Sequence, residues 1–249
     1  MPVLVDHAVA EVVNLTKTFS PGRGGSPVPV LRGITAQVSP GEFLAVVGPS
    51  GSGKSTLLYC MSGLEPATTG EVRILGRTIG ALSRGALATL RRDHIGFVFQ
   101  SYNLIPSLTA RENVALPARL AKRAIAPAEV DRALAQVGLS ERAGYRPAAL
   151  SGGQQQRVAI ARVLAVRPDV VFADEPTGAL DTEAGDQVLT LLREVADGPR
   201  SVVMVTHDVQ AAARADWVFV LRDGRVHSEL ARPSADQVFA AIAHAGSRG

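Results

Sequence analysis

Gly48-Pro-Ser-Gly-Ser-Gly-Lys-Ser55 decides the reading of this chain. The residues before it, Phe43 to Val47, are all apolar and follow a Pro40-Gly41 turn, the pattern of a buried strand. The residues after it, Lys54 to Gly63, read as a helix. Strand, glycine-rich loop and helix in that order form a phosphate cradle, because the first amides of the helix point at an anion and the glycines let the backbone approach it. Such a loop matches G-x-x-x-x-G-K-[ST], in which Lys54 reaches the β- and γ-phosphates and the Ser55 hydroxyl faces Mg²⁺. The candidate ATP contacts are therefore Gly48, Pro49, Ser50, Gly51, Ser52, Gly53, Lys54, Ser55 and Thr56.

Downstream, Val170-Val-Phe-Ala-Asp174 is a second apolar run, ending in a carboxylate. An acid at the end of a neighbouring parallel strand is where a phosphate-loop fold holds its metal, which makes Asp174 a candidate ligand beside Ser55. Glu175 follows at once, placed to polarise an attacking water as general base. Further strands are expected at Glu11–Leu15, Ile34–Val38, Glu71–Leu75, Ile95–Phe99, Val202–Thr206 and Trp217–Leu221, with helices at Ser83–Arg92 and Thr182–Ala196. Strands alternating with helices predict an α/β fold with a mainly parallel sheet covered on both faces. The stretch 101–165, rich in helix formers, reads as a helical subdomain inserted into a core of about 1–100 and 166–230. Ser20 to Pro29, with its glycines and prolines, reads as a loop. Ser234 caps an expected last helix, about 234–245, whose stripe Val238, Phe239, Ile242 and Ala245 reads as core packing.

Composition excludes several classes. The 249 residues are 46% hydrophobic and 20% charged, as in an ordinary globular protein. No apolar run approaches the roughly 18 residues of a membrane span, so membrane association is expected only through a partner. The first residues carry no signal-peptide pattern, which predicts a cytoplasmic location. A net charge of +3 without any Lys/Arg block gives no reason to expect nucleic acid. Cys60 is the single cysteine, so it forms no internal disulfide and reads as a buried apolar filler.

The segment Leu150-Ser-Gly-Gly-Gln-Gln-Gln-Arg157 opens another helix, exposing amides at its positive end. Ser151 with two glycines is equally an N-cap and a turn when read alone. The whole segment, however, resembles the L-S-G-G-Q signature of ABC transporter nucleotide-binding subunits, and the likeness runs from Val13 to about Arg225. That resemblance implies a P-loop NTPase (RecA-like) core with an N-terminal antiparallel β subdomain, Mg²⁺-dependent ATP hydrolysis, and an ATP-closed homodimer. In it Ser151, Gly152, Gly153 and Gln154 of one copy would bind the γ-phosphate held by the other copy, with Asp181 of Gly178-Ala-Leu-Asp at the interface. By the same resemblance Gln100 contacts Mg²⁺ or the lytic water, His207 contacts the γ-phosphate, and Phe19 lies under the adenine, where tyrosine is commoner.

Phe97-Val-Phe-Gln-Ser-Tyr-Asn-Leu-Ile-Pro106 and Ala173-Asp-Glu-Pro-Thr-Gly-Ala-Leu-Asp181 are similar to the branch serving lipoprotein release, macrolide efflux and the cell-division complex. Members of that branch sit on the cytoplasmic side of the membrane with a permease of few spans and a large extracytoplasmic domain. Trp217, where arginine is usual, and Val163, where alanine is usual, depart from the pattern. The alternative, a soluble ABC ATPase of DNA repair or of ribosomes, fits less well. Only 51 positions separate Gln100 from Ser151, too few for a long coiled coil, and one motif set is present rather than two. A non-enzymatic module would lack Glu175 and His207.

Overall fold

A computed structural model describes residues 8–20 and 25–246. The N-terminal residues that bear on a signal peptide, and residues 21–24 of the expected loop, lie outside the described residues.

Two sheets make up the β structure. The larger has the order β10-β9-β3-β8-β7-β6, built from β3 (Phe43–Val47), β6 (Ile95–Phe99), β7 (Val170–Asp174), β8 (Ser201–Val205), β9 (Trp217–Arg222) and β10 (Arg225–Ala231). Its strands run parallel from β9 to β6, and β10 adds an antiparallel edge. The smaller sheet is antiparallel, in the order β2-β1-β4-β5, from β1 (Ala10–Phe19), β2 (Val28–Val38), β4 (Thr69–Ile74) and β5 (Arg77–Thr78).

Side chains on a strand alternate between faces, so a strand buried on both must be apolar throughout. In β3, Phe43, Ala45 and Val47 join one hydrophobic cluster while Leu44 and Val46 join the other. In β7 the split is Val171 and Ala173 against Val170 and Phe172, and in β8 Val202 and Met204 against Val203 and Val205. The first cluster is closed by α3 (Ala110–Leu120), α4 (Pro127–Gln136), α5 (Gly152–Val166), α6 (Thr182–Ala196), α7 (Val209–Ala212) and α8 (Ala235–Gly246). The second is closed by α1 (Lys54–Met61), α2 (Arg84–His94) and the antiparallel sheet. Each fully buried Val, Leu or Phe contributes about 1.5–3 kcal/mol, so the two clusters dominate the folding free energy.

Local signals set the helix ends. Thr109 caps α3 in a reciprocal box with Glu112, Ser151 caps α5 with Gln154, and Asp181 caps α6 through Ala184 N–H. Buried Asn113 accepts from Ile105 N–H and donates to the carbonyls of Ile105, Leu108 and Thr109, fastening the approach to α3. Val163 is buried near Gly96: a Cβ on that glycine would stand 3.1 Å from Val163 Cγ1 and 2.8 Å from Pro168 Cγ. A side chain at position 96 would therefore force α5 away from β6.

Several expectations need correction. β2 starts at Val28, so Val28 and Pro29 belong to a strand rather than to the expected loop. The strand expected at Glu71–Leu75 belongs to the antiparallel sheet. Of the last helix's stripe, Val238 and Ala245 are buried but Phe239 is 65% exposed, because adjacent residues on a helix are 100° apart and cannot face one core. Trp217 is 39% exposed at the first position of β9.

Asp216, just ahead of β9, ties three elements together. Its Oδ2 accepts from Phe43 N–H at 2.9 Å and from the Arg193 guanidinium at 2.8 Å. Burial pushes its carboxyl up, but Arg193, Phe43 N–H and Arg232 outweigh this and hold it below the usual carboxylate range. A depressed folded-state pKa contributes stability that is present above the unfolded value near 4 and is lost as pH falls through the lower folded value. Asp216→Asn is therefore expected to be less stable than wild type at pH 7 by ~1–3 kcal/mol. That gap should close as pH falls below about 4, as read by urea unfolding across pH.

Candidate active site

The parallel ladder brings the chemistry together. Phe99 pairs with Asp174, Asp174 with Val205 and Val46 with Val205, so the chain leaves β3, β6, β7 and β8 at one edge of the sheet. The residues delivered there are Gly48, Gln100, Glu175 and His207. Ligands in such folds bind outside the carboxyl ends of the strands, where the loops have room to gather.

At the first exit Gly48 has φ 145°, and a Cβ there would lie 2.1 Å from Leu221 O, so glycine is obligatory. Pro49, Ser50 and Gly51 are exposed, Ser52 is buried, and Gly53, in the left-handed region, leads into α1. No side chain caps α1 and its first turn has no acid, which suits that terminus to an anion. Lys54 curls back, its Nζ donating to Gly48 O at 2.9 Å and Pro49 O at 3.1 Å. Burial lowers its pKa, against the opposing pull of Glu175 and Asp174. Thr56 follows within α1.

Ser55 Oγ donates to Asp174 Oδ1 at 3.0 Å, across 119 positions of sequence. Tyr59 OH donates to Asp174 Oδ2 at 2.6 Å. The donor set of one hydroxyl and one carboxylate suits Mg²⁺, a hard cation bound by one or two carboxylates together with water and phosphate oxygens. Among the described residues no group of three or more His, Cys, Asp or Glu could hold a metal ion by itself. Tyr59 escaped the sequence reading. Its one legible signal is its place four residues after Ser55, on the same helical face. Burial and the Asp174 contact push its hydroxyl up to about 12, so it stays a donor at neutral pH.

Glu175 stands at φ 48°, a conformation that an ordinary residue holds only when its surroundings dictate it. Its amide donates to Val205 O at 2.9 Å, and its Oε2 lies 2.9 Å from His207 Nδ1. The carboxylate is 17% exposed and the histidine 70%. Gln100 lies beside the turn after Glu175, its Nε2 3.1 Å from where a Cβ on Gly178 would stand. Asp181 spends a carboxylate oxygen on capping α6.

The signature residues stand on a different element. Ser151 and Gln154 bond to each other at the start of α5, and Tyr102 OH approaches Gly152 to 2.8 Å of an ideal Cβ. Gly153 faces Ala184 of α6, 3.1 Å from Ala184 Cβ on the same measure. Phe19, at the end of β1, is 42% exposed, with Lys17 Nζ 4.7 Å from its ring centroid. Cys60 is buried, and burial pushes its thiol up to about 11, which makes it unreactive.

A family model described as ABC transporter matches residues 31–178. The chain belongs to the ABC transporter family. A macrolide export ATP-binding/permease protein MacB from Marinobacter nauticus is 48% identical over 220 residues, covering 87% of this chain and 34% of that protein. The protein of the same name from Salmonella paratyphi A is 44% identical over 221 residues, with 88% and 34% covered. The chain thus spans about a third of the length of these curated relatives. A solved structure described as a dimeric post-hydrolysis state of the ATP-binding cassette MJ0796 bound to ADP and Pi superposes with a TM-score of 0.83. It is 40% identical and covers 90% of this chain and 99% of that one. The cassette cbiO1 from Clostridium perfringens superposes at 0.79 with 29% identity, covering 94% and 92%. These likenesses favour a transporter cassette over a repair or ribosomal ATPase.

The Tyr59 contact sets up a test. Replacing the ring hydroxyl frees one oxygen of Asp174 and loosens its aim. Tyr59→Phe is expected to raise the Mg²⁺ concentration for half-maximal nucleotide binding about tenfold, as measured with a fluorescent ATP analogue.

Proposed function

We propose that this cassette binds Mg·ATP on the loop from Gly48 to Thr56 and hydrolyses it in a dimer of two copies, driving a membrane permease in export or related mechanical work. The observation that carries this reading is the contact of Glu175 with His207 at a strand end next to the Ser55–Asp174 pair. Lys54 and the α1 amides hold the β- and γ-phosphates. Ser55, Asp174 and Gln100 would hold Mg²⁺, which would neutralise phosphate charge. Glu175 takes a proton from the attacking water, and His207 steadies the carboxylate and faces the γ-phosphate. Phe19 offers a ring face to adenine.

Ser151, Gly152, Gly153 and Gln154 serve the nucleotide of the second copy. Their support is that the Ser151–Gln154 box engages only the amides of Ser151 and Gln154, so the amides of Gly152 and Gly153 stay at the helix's positive end for an outside anion. Asp181, exposed at the start of α6, lies at the same interface. The unit that presents this signature is the helical stretch 101–165, moving against the core of 1–100 and 166–230.

We infer the permease from the MacB relatives, whose names join ATP-binding and permease functions. No helix among the described residues is long and apolar enough to cross a membrane, so the contact must be made at a surface. A cleft of about 350 Å³ beside Gln100, lined by Phe97, Phe99, Leu116, Leu120 and Arg162, suits an apolar segment of such a partner. We infer a position on the cytoplasmic face of the membrane, and the charge pattern gives no reason to expect a nucleic-acid partner.

Two variants test the chemistry. Glu175→Gln is expected to lower turnover at least ~100-fold while retaining ATP, so that ATP moves it to dimer size in gel filtration. Lys54→Ala is expected to lose ATP binding altogether. Wild-type hydrolysis in either variant would remove the assigned role. For the cleft, a photo-crosslinker at Leu120 in native membranes should capture an integral membrane protein; capture of soluble proteins alone would refute the docking site.

A further inference from the structure

We propose that Gln156 is a positioning residue that couples the two composite sites of the dimer, by tying the signature helix of each copy to that copy's own general base. The proposal rests on the dimeric ATPase reading above.

Gln156 lies in α5 and is fully buried. Its Nε2 donates to Pro176 O at 2.7 Å, while its Oε1, also buried, has no hydrogen-bond partner among the described residues. A buried amide with one end unsatisfied carries a desolvation cost that an apolar side chain of equal volume would avoid. Packing alone therefore does not account for glutamine here, and the donated bond must matter.

That bond lands one residue after Glu175, whose left-handed backbone persists only because its surroundings over-determine it. Four sets of contacts do so. Glu175 N–H donates to Val205 O at 2.9 Å, and Gly178 N–H donates to Glu175 O at 3.1 Å. The Glu175 carboxylate meets His207, and Gln156 holds Pro176. The first three come from β8, from the residues after it, or from the turn itself. The Gln156 bond arrives from α5, whose first turn is the signature.

Gln156 is five residues beyond the cap Ser151, about 7.5 Å along one rigid helix. A phosphate engaging the first turn of α5 shifts the whole helix, and Gln156 passes that shift to Pro176 and so to the aim of Glu175. In the dimer the signature of one copy covers its partner's nucleotide, whereas Glu175 acts on its own. Occupancy of one site is thereby reported to the base of the other, and the predicted consequence is cooperative hydrolysis.

The test compares wild type, Gln156→Met and Gln156→Asn for ATPase rate against ATP concentration, fluorescent-nucleotide affinity and melting temperature. Met fills the volume without the amide; Asn keeps an amide that is one methylene too short. Both are expected to lose about tenfold in kcat and to bring the Hill coefficient down to 1, with single-site nucleotide affinity unchanged. Should the Met variant fail to fold, the Asn variant carries the comparison. A lowered melting temperature with wild-type kcat and Hill coefficient would reduce Gln156 to a structural role and overturn the proposal, as would a wild-type Hill coefficient of 1. Glu175→Gln measured alongside separates the two levels. Full activity there sinks the site reading itself, whereas an inactive Glu175→Gln with wild-type behaviour at position 156 sinks only the coupling.

Discussion

The hydrogen-bonded register among β6, β7, β8 and β3 is the constraint on which the rest of the molecule depends. Because both faces of these strands are buried, a slip of one residue would exchange the side chains of the two hydrophobic clusters, turning Phe172 into the space of Ala173. The core therefore locks the register, and the register in turn lines up the strand ends. Gln100, Glu175 and His207 are neighbours because Phe99, Asp174 and Val205 are paired. Catalytic placement is in this sense a consequence of packing Val, Ala and Phe on either side of a sheet.

The groups of the site are held in place by bonds to their neighbours. Lys54 spends its donors on two loop carbonyls, the α1 terminus carries no cap, and Asp174 is held by two hydroxyls from a single helix face. The bonds to Lys54 and Asp174 fix the lysine and the acid beside the phosphate loop. Burial lowers the Lys54 pKa while the charges of Glu175 and Asp174 oppose it.

The signature segment stands on a different element from the phosphate loop. α5 carries the signature at its first turn, packs through Val158, Ile160 and Val163 into the core, and reaches the Glu175 segment through Gln156. One continuous helix thus joins the signature segment to the turn after Glu175. Arg162 on the same helix donates to the carbonyls of Tyr102 and Asn103, and burial lowers its pKa, so the helix also touches the loop after Gln100.

Much of this was legible before any coordinates. Two all-apolar runs, each ending in the residues of a phosphate loop or an acid, sufficed for the parallel sheet and for Lys54, Ser55 and Asp174, because burial on both faces and an anion-binding helix start are local demands on local sequence. The helix ends at Ser151 and Asp181 were readable for the same reason. The full length of β2, the edge strand β10, and the exposure of Phe239 and Trp217 were not, since each is decided by what the rest of the chain happens to cover. Tyr59 and Gln156 belong to the tertiary structure alone. Their partners stand 115 and 20 positions away, and a hydroxyl or an amide acquires its meaning only when folding sets an unsatisfied oxygen within 3 Å of it.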